Sequence, residues 1–484
     1  MGGNCGILKA AAYVRQTRFF AFLRKEADFT TLQDYLASLR GKEVTVIGIG
    51  VSNRPLLELL ISAGARVTAR DKKTREQLGD IVPQLESRGV SLVLGEHYLE
   101  NVAGDVVFRT PGLRPDAPAL EEARARGGIV TSEMEVFFEV CPCPIIAVTG
   151  SDGKTTTTTL IAEMLRAAGR TVWLGGNIGT PLLDKAGEMK ESDIAVLELS
   201  SFQLMSMTRS PHVAVITNLS PNHLDVHKDM EEYVWAKGNI YRHQGKDDLL
   251  VLNYDNALTR AQAGDAPGKV RFFSRQSGTA EGLFLQDGFI ADARGPILNT
   301  KEIRIPGDHN VENYMAACAA LRDLVEPEIM ARVSREFSGV EHRLELCRDK
   351  DGVRWYNDSI ASSPTRTLAG LRCFPEKVIL IAGGYDKHIP FTPLGEEIPR
   401  SVKTLILCGA TADKIRAATL AAPDYAPGNP HIRETETLAD AVKLAHSLAK
   451  PGDVVLFSPA CASFDQFPNF MARGRFFKEN VENL

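Results

Sequence analysis

No apolar run in this chain approaches the ~20 residues needed to cross a bilayer, so no membrane-spanning helix is expected. An excess of basic charge is also missing: 56 Lys and Arg stand against 61 Asp and Glu, a net charge of −5. Without a broad basic surface to grip phosphates, nucleic acid is not an expected partner. Closely spaced cysteines are scarce. Of the eight, only Cys141 and Cys143 are neighbours, so neither a disulfide framework nor a zinc knuckle is expected, and reduced thiols in a cytoplasm fit best. Residues 1–29 lack the unbroken apolar core of a secretory signal, because Lys9, Arg15, Arg18, Arg24 and Lys25 interleave with Phe19, Phe20, Phe22 and Leu23. A loosely ordered N-terminal extension is expected there, with an amphipathic membrane-surface helix as the alternative.

What the chain has is bulk and repetition. Its 484 residues, 44% of them hydrophobic, are enough for roughly three domains. Three times a short apolar, β-branched segment runs into a glycine turn and then a helical pattern: Glu43 to Gly50, Pro144 to Gly150, and Lys377 to Gly384. Continuous apolar strands followed by helices indicate parallel sheets covered on both faces, which bind ligands at the carboxyl ends of their strands. The expected fold is therefore α/β in three domains. Rossmann-like N-terminal and C-terminal domains flank a central P-loop ATPase domain with a mostly parallel sheet. Cys141-Pro-Cys-Pro144 ends any helix before it, and Phe337-Ser-Gly339 closes the central module, giving 1–29, 30–140, 141–339 and 340–484 as the divisions.

In the first module, Gly48-Ile-Gly50 and Asp71 look like a dinucleotide fingerprint, but Asn53 stands where the third glycine belongs, so NAD or FAD is not expected. A helix N-terminus with free amides beside Ser52, Asn53 and Arg54 still suits a phosphate or nucleotide diphosphate. Thr110-Pro111-Gly112 is a second loop on the same edge.

The central module carries Gly150-Ser151-Asp152-Gly153-Lys154-Thr155-Thr156 between a strand and a helix. Backbone N–H groups there would wrap a β-phosphate, the Lys154 ammonium would neutralise β- and γ-oxygens, and the Thr155 hydroxyl would ligate Mg²⁺. The two glycines are closer by two residues than in the Walker pattern, which points away from a generic kinase or GTPase. Glu198, at the tip of the strand Ile194–Glu198, fits a Mg²⁺ ligand. His223, just past the strand Val213 to Thr217 with Asp225 beside it, is read as functional, and His227 as structural.

These residues resemble the Mur ligases, ATP-dependent amino-acid-adding enzymes of peptidoglycan precursor synthesis. The shortened loop, Glu198-Leu-Ser-Ser-Phe-Gln203, Asn222-His223, His309-Asn310-x-x-Asn313 and the C-terminal run Ser458-Pro-Ala-Cys-Ala-Ser463 carry the resemblance, which extends from about residue 32 to the end. It is nearest to the members that join D-glutamate to UDP-N-acetylmuramoyl-L-alanine through an acyl phosphate. The resemblance implies ATP and two Mg²⁺ ions, with Thr155, Glu198, His223 and a carbamylated Lys237 around the metals. From the residues alone, Lys237 reads as a surface lysine. The resemblance further implies Asn310, Asn313, Arg343 and Asp358 at the nucleotide, and Ser52, Asn53, Arg54, Asp71, Thr110, Gly112, Asn177 and Gln203 at the UDP-substrate. Lys387, Ser362, Ser463 and Phe470 are implied at D-glutamate. Two positions depart from the family: Ile360 replaces a basic residue, and Asn222 replaces an acidic one. Rival readings are a ligase adding L-alanine, a diamino acid or folate-linked glutamate, and a nucleotide-binding module without catalysis.

Overall fold

The computed structural model describes residues 31–50, 53–221, 226–276, 278 and 282–484. Two expected site residues, Ser52 and His223, and the neighbouring Asn222 and Asp225, lie outside the described residues. The chain forms two compact units. One runs up to Asn299 and includes Glu312–Val333; the other joins Thr300–Val311 to Ser334–Leu484.

The first unit holds two sheets. Strands β1 (Glu43–Ile47), β2 (Arg66–Asp71), β3 (Ser91–Leu94), β4 (Val106–Phe108) and β5 (Ile129–Thr131) form a parallel sheet in the order β3-β2-β1-β4-β5. The winding reverses between β1 and β4, so the loops after them meet over a crevice at the strand ends. The second sheet contains β6 (Ile145–Thr149), β7 (Val172–Gly176), β8 (Ile194–Glu198), β9 (Val213–Ile216), β10 (Leu249–Asn253), β11 (Lys269–Ser274), β12 (Gly282–Gln286), β13 (Phe289–Asp292) and β14 (Gly295–Asn299). Its order is β14-β13-β12-β11-β10-β9-β6-β8-β7, and only β13 pairs antiparallel. Every residue of β6, β8 and β9 is buried, as expected for a parallel sheet covered on both faces. Helix Glu133–Val140 packs Phe137 and Val140 into a core shared by both sheets, and ends at Cys141 where Pro142 removes the next amide.

The second unit holds β15 (Glu345–Lys350), β16 (Val353–Asn357), β17 (Val378–Ala382), β18 (Val402–Leu407), β19 (His431–Glu434) and β20 (Val454–Phe457) in the order β15-β16-β20-β17-β18-β19. All pairs are parallel except β15 with β16. Separate apolar clusters cover its two faces. The helix Asp308–Leu321 passes from this unit into the first and opens with a polar turn, Asp308-His-Asn310, that carries no apolar periodicity.

Candidate active site

The expected phosphate loop leaves the buried end of β6 and reaches the helix Lys154–Ala167 through two glycines at φ 146° and 76°. A Cβ on Gly150 would lie 2.0 Å from Thr217 Oγ1, and one on Gly153 would lie 2.2 Å from Asn313 Oδ1, so a side chain at either position would have to displace its neighbour and strain a positive-φ backbone. The segment after β9 fixes the loop from the side. Ser151 N donates to Asn218 O at 2.9 Å, Asp152 N to Asn218 Oδ1 at 2.9 Å, and Thr217 Oγ1 to Asp152 O at 2.6 Å. The Lys154 ammonium arches back over the loop, donating to Gly150 O at 3.0 Å and Ser151 O at 2.8 Å.

Three further expected residues converge here. Thr155 Oγ1 donates to Glu198 Oε2 at 2.7 Å, and Asn177 Nδ2 donates to Glu198 Oε1 at 3.0 Å. Glu198 is buried at the end of β8, which lies beside β6. A hydroxyl and a carboxylate in direct contact at a phosphate loop form the oxygen set that a hard divalent cation takes. Among the described residues no three His, Cys, Asp or Glu side chains form a metal cluster of their own.

Lys237 is the residue the structure changes most. It is 2% exposed, on helix Met230–Gly238, with Nζ 2.8 Å from Gly150 O and 3.2 Å from Thr149 Oγ1. Burial, with the nearby Lys154 ammonium adding to it, pulls its pKa well below the usual lysine range, while Glu198 and Asp152 act in the opposite direction. Tyr233, four residues earlier on the helix, places its ring 4.8 Å from Lys237 Nζ and its hydroxyl 3.0 Å from Ser151 Oγ. Sequence reasoning did not single out Tyr233; its i,i+4 spacing from Lys237 was the available signal. Asn313 accepts from Thr157 Oγ1 at 3.3 Å in the first unit, whereas Asn310 donates to Pro306 O at 2.6 Å in the second.

On the first sheet, Gly48 takes φ 92°, with Thr110 Cβ only 3.1 Å from where a Cβ would stand, tighter than ordinary van der Waals contact. Asp71 accepts from Ile49 N at 2.7 Å and from Lys73 N at 2.9 Å. Asn53 Nδ2 donates to Ile47 O at 3.1 Å and Gly48 O at 3.0 Å, tying helix to strand where a third glycine would have allowed close packing. Arg54 and Gly112 are exposed. Gln203 instead closes a local capping box, with Oε1 2.9 Å from Ser200 N.

In the second unit, Lys387 Nζ stands 3.4 Å from Ser362 Oγ. Ser463 is buried and its carbonyl accepts from Phe467 N at 2.8 Å, while the Phe470 carbonyl accepts from Ser359 Oγ at 2.8 Å. Asp358 accepts from Ser458 Oγ at 2.7 Å; burial pushes its pKa up to about 7, with that bond and the Arg343 charge opposing the shift. Arg473 is buried and donates to Ser359 O, Cys461 O and Ala462 O, binding together two loops that carry expected D-glutamate residues.

Residues 148–321 match the Mur ligase middle domain, and residues 342–461 match the Mur ligase glutamate ligase domain. The UDP-N-acetylmuramoylalanine–D-glutamate ligase of Acetivibrio thermocellus is 52% identical, covering 94% of this chain and 99% of that protein. The enzyme of the same name from Clostridium novyi is 50% identical, over 94% and 99%. Among solved structures, the UDP-N-acetylmuramate–alanine ligase of Thermotoga maritima superposes with a TM-score of 0.55 at 19% identity, covering 91% of this chain and 99% of that one. A UDP-N-acetylmuramoyl-L-alanyl-D-glutamate–2,6-diaminopimelate ligase gives 0.57 at 18% identity, covering 93% of both chains. The structural likenesses carry the fold, the sequence likenesses carry more, and the chain belongs to the Mur ligase family.

Proposed function

We propose that this protein is an ATP-dependent ligase that joins D-glutamate to UDP-N-acetylmuramoyl-L-alanine in peptidoglycan precursor synthesis. The observation that carries the substrate is the shared name of relatives about half identical over nearly their whole length. Support for the chemistry comes from the convergence of Lys154, Thr155, Glu198 and Lys237 on one loop.

In the reaction, an alanyl carboxylate oxygen attacks the γ-phosphorus of ATP and ADP leaves. The D-glutamate amine then attacks the acyl carbon, phosphate leaves, and the amine loses a proton. Phosphoryl transfer between two anions requires fixed positive charge; Lys154, mounted at a helix N-terminus, supplies it without reorganisation. Thr155 and Glu198 would hold one Mg²⁺, with His223 and Lys237 toward a second, and these ions supply charge neutralisation at the transferring phosphoryl group. A depressed pKa raises the share of Lys237 in the neutral-amine form. That amine can therefore add CO₂ and release a proton, turning an ammonium that would repel a cation into a carbamate that attracts one. Asn310, Asn313, Arg343 and Asp358 are assigned to the nucleotide, with Gly150 to Thr156 around its phosphates.

The UDP-substrate is assigned to the first sheet's edge and Asn177. Arg54 and the N-terminus of the helix Asn53–Ser62 make the contact, Asn53 and Asp71 shape the turn, and Ser52, Thr110, Gly112 and Gln203 line it. Lys387, Ser362, Ser463 and Phe470 take D-glutamate, whose two carboxylates suit an ammonium and hydroxyls. These assignments divide the chain into an extension (1–29), a UDP-substrate domain (30–140), an ATP domain (141–339) and an amino-acid domain (340–484). No helix among the described residues is long and apolar enough to cross a membrane, and we assign the protein to the cytoplasm.

An amino-acid panel tests the reading. With UDP-N-acetylmuramoyl-L-alanine and ATP, phosphate release is expected with D-glutamate and not with L-alanine or L-lysine. Release with either of the latter alone would replace the assignment.

A further inference from the structure

The loop after β4 is anchored by arginine at both ends. Arg109, 1% exposed, donates to Leu113 O at 3.1 Å, Phe202 O at 3.1 Å and Ser206 Oγ at 2.5 Å. Arg114 makes two parallel bonds to Glu232, at 2.9 and 2.8 Å, and a third to Val226 O at 2.9 Å. Asp116 grips the same guanidinium at 2.8 and 2.9 Å. Thr110–Gly112, assigned above to the UDP-substrate, lies between the two anchors.

Glu232 stands on the helix that touches the phosphate loop. Its backbone N donates to the capping Asp229 Oδ1 at 2.8 Å. One residue later Tyr233 meets Ser151, and five residues later Lys237 meets Gly150. A side branch leads through His227, whose Nδ1 is 3.6 Å from Glu232 Oε2 and whose Nε2 is 2.9 Å from Ser201 Oγ, with its ring stacked on Phe202 at 5.5 Å. The route from Thr110 to Gly150 therefore passes through one ion pair and one helix turn.

We propose that Arg114 and Glu232 are positioning residues: their bidentate pair fixes the Thr110–Gly112 loop of the first sheet against the helix that contacts the phosphate loop, setting the acceptor carboxylate at reaction distance from the γ-phosphate. This rests on the reading of the reaction given above. The pair can also add to stability, since its side chains are only 24% and 16% exposed; what marks a positioning role is the planar two-bond geometry, which restricts orientation as well as distance, and kcat read beside the melting temperature separates the two. Asp116 supports the role by holding the guanidinium in place from its free edge.

The experiment compares steady-state kinetics and thermal melting of the wild type, Arg114→Met, Glu232→Gln and the double variant. Misplacement by about 1 Å costs roughly 10²-fold in rate, so each single change is expected to lower kcat at least about tenfold. The KM for ATP should stay within about twofold, since neither residue touches the phosphate loop. Melting temperatures should move by no more than a few degrees, and the double variant should be no slower than the worse single one, because the two residues act as a unit. Single variants with kcat near wild type, or losses that multiply in the double variant, would overturn the proposal. Glu232→Gln keeps the side-chain shape and the bond from Lys228 N, so it decides the matter even where Arg114→Met does not fold. Wild-type protein inert toward D-glutamate would defeat the substrate reading instead, and the pair would then be assayed with whichever amino acid the panel accepts.

Discussion

The two glycine turns of the first unit start from the same design and end in opposite states. Both follow a buried parallel strand and both precede a helix. At Gly48–Gly50 the nearby side chains serve the turn itself: Asp71 holds Ile49 N, and Asn53 holds two carbonyls. At Gly150–Thr155 much of the bracing comes from the segment after β9, through Thr217 and Asn218, with Lys154 adding two bonds to loop carbonyls, and Thr155 and Glu198 are left facing one another. A turn braced largely from outside can devote side chains such as Thr155 to chemistry. A turn braced from within can offer mainly backbone.

Lys154→Ala tests the first half of that contrast with the largest effect. The variant is expected to keep its fold while phosphate release falls by about 10³-fold or more, because the ammonium over the loop supplies the fixed positive charge for the transferring phosphoryl group. Activity within tenfold of wild type would remove the loop from the mechanism.

The seam between the two sheets gives an intermediate effect, readable by pH. Glu133 accepts from Leu183 N at 3.2 Å, and burial raises its pKa to about 7, above its unfolded value. The protonated form therefore favours folding: that contribution is complete below pH ~4.5 and is lost as pH rises through about 7. Glu133→Gln is expected to stabilise the protein above pH 7 by on the order of 2 kcal/mol and to change little near pH 4.5. Melting curves across that range check the sign; a destabilised variant at pH 8 would mean that the carboxylate is paired by a cation.

Asp71→Asn, on the inwardly braced turn, is the smallest. One of its two carboxylate bonds to backbone N–H is lost, worth about 1 kcal/mol, and the KM for the UDP-substrate should rise severalfold with kcat little altered. A fall in kcat at unchanged KM would show that this turn takes part in chemistry, and the contrast between the two turns would collapse.

How much of this was legible beforehand follows the same division. Strand, turn and helix at both sites could be read because the information is contiguous: apolar runs, then glycine, then a helical pattern. Glu198 was legible as a polar residue ending a buried strand. Lys237 was not, because its burial comes from β6 and the phosphate loop, 87 residues away in sequence at Gly150, and the helix Met230–Gly238 has a polar first turn resembling a surface helix. The pairing of Arg114 with Glu232, 118 residues apart, had no local signature at all. Asn53 was legible as a missing glycine, but the compensating bonds to Ile47 and Gly48 depend on side-chain placement that spacing does not reveal.

The closeness of Thr217 to Gly150 and of Asn313 to Gly153 also bears on inhibition and escape. Any replacement of either glycine drives a new carbon to 2.0 or 2.2 Å from its neighbour. Because both glycines also sit at positive φ, a replacement would have to displace the Thr217 or Asn313 side chain and strain the backbone together, so a small molecule that gripped the loop through its backbone amides would rest on atoms that are costly to remodel by point mutation.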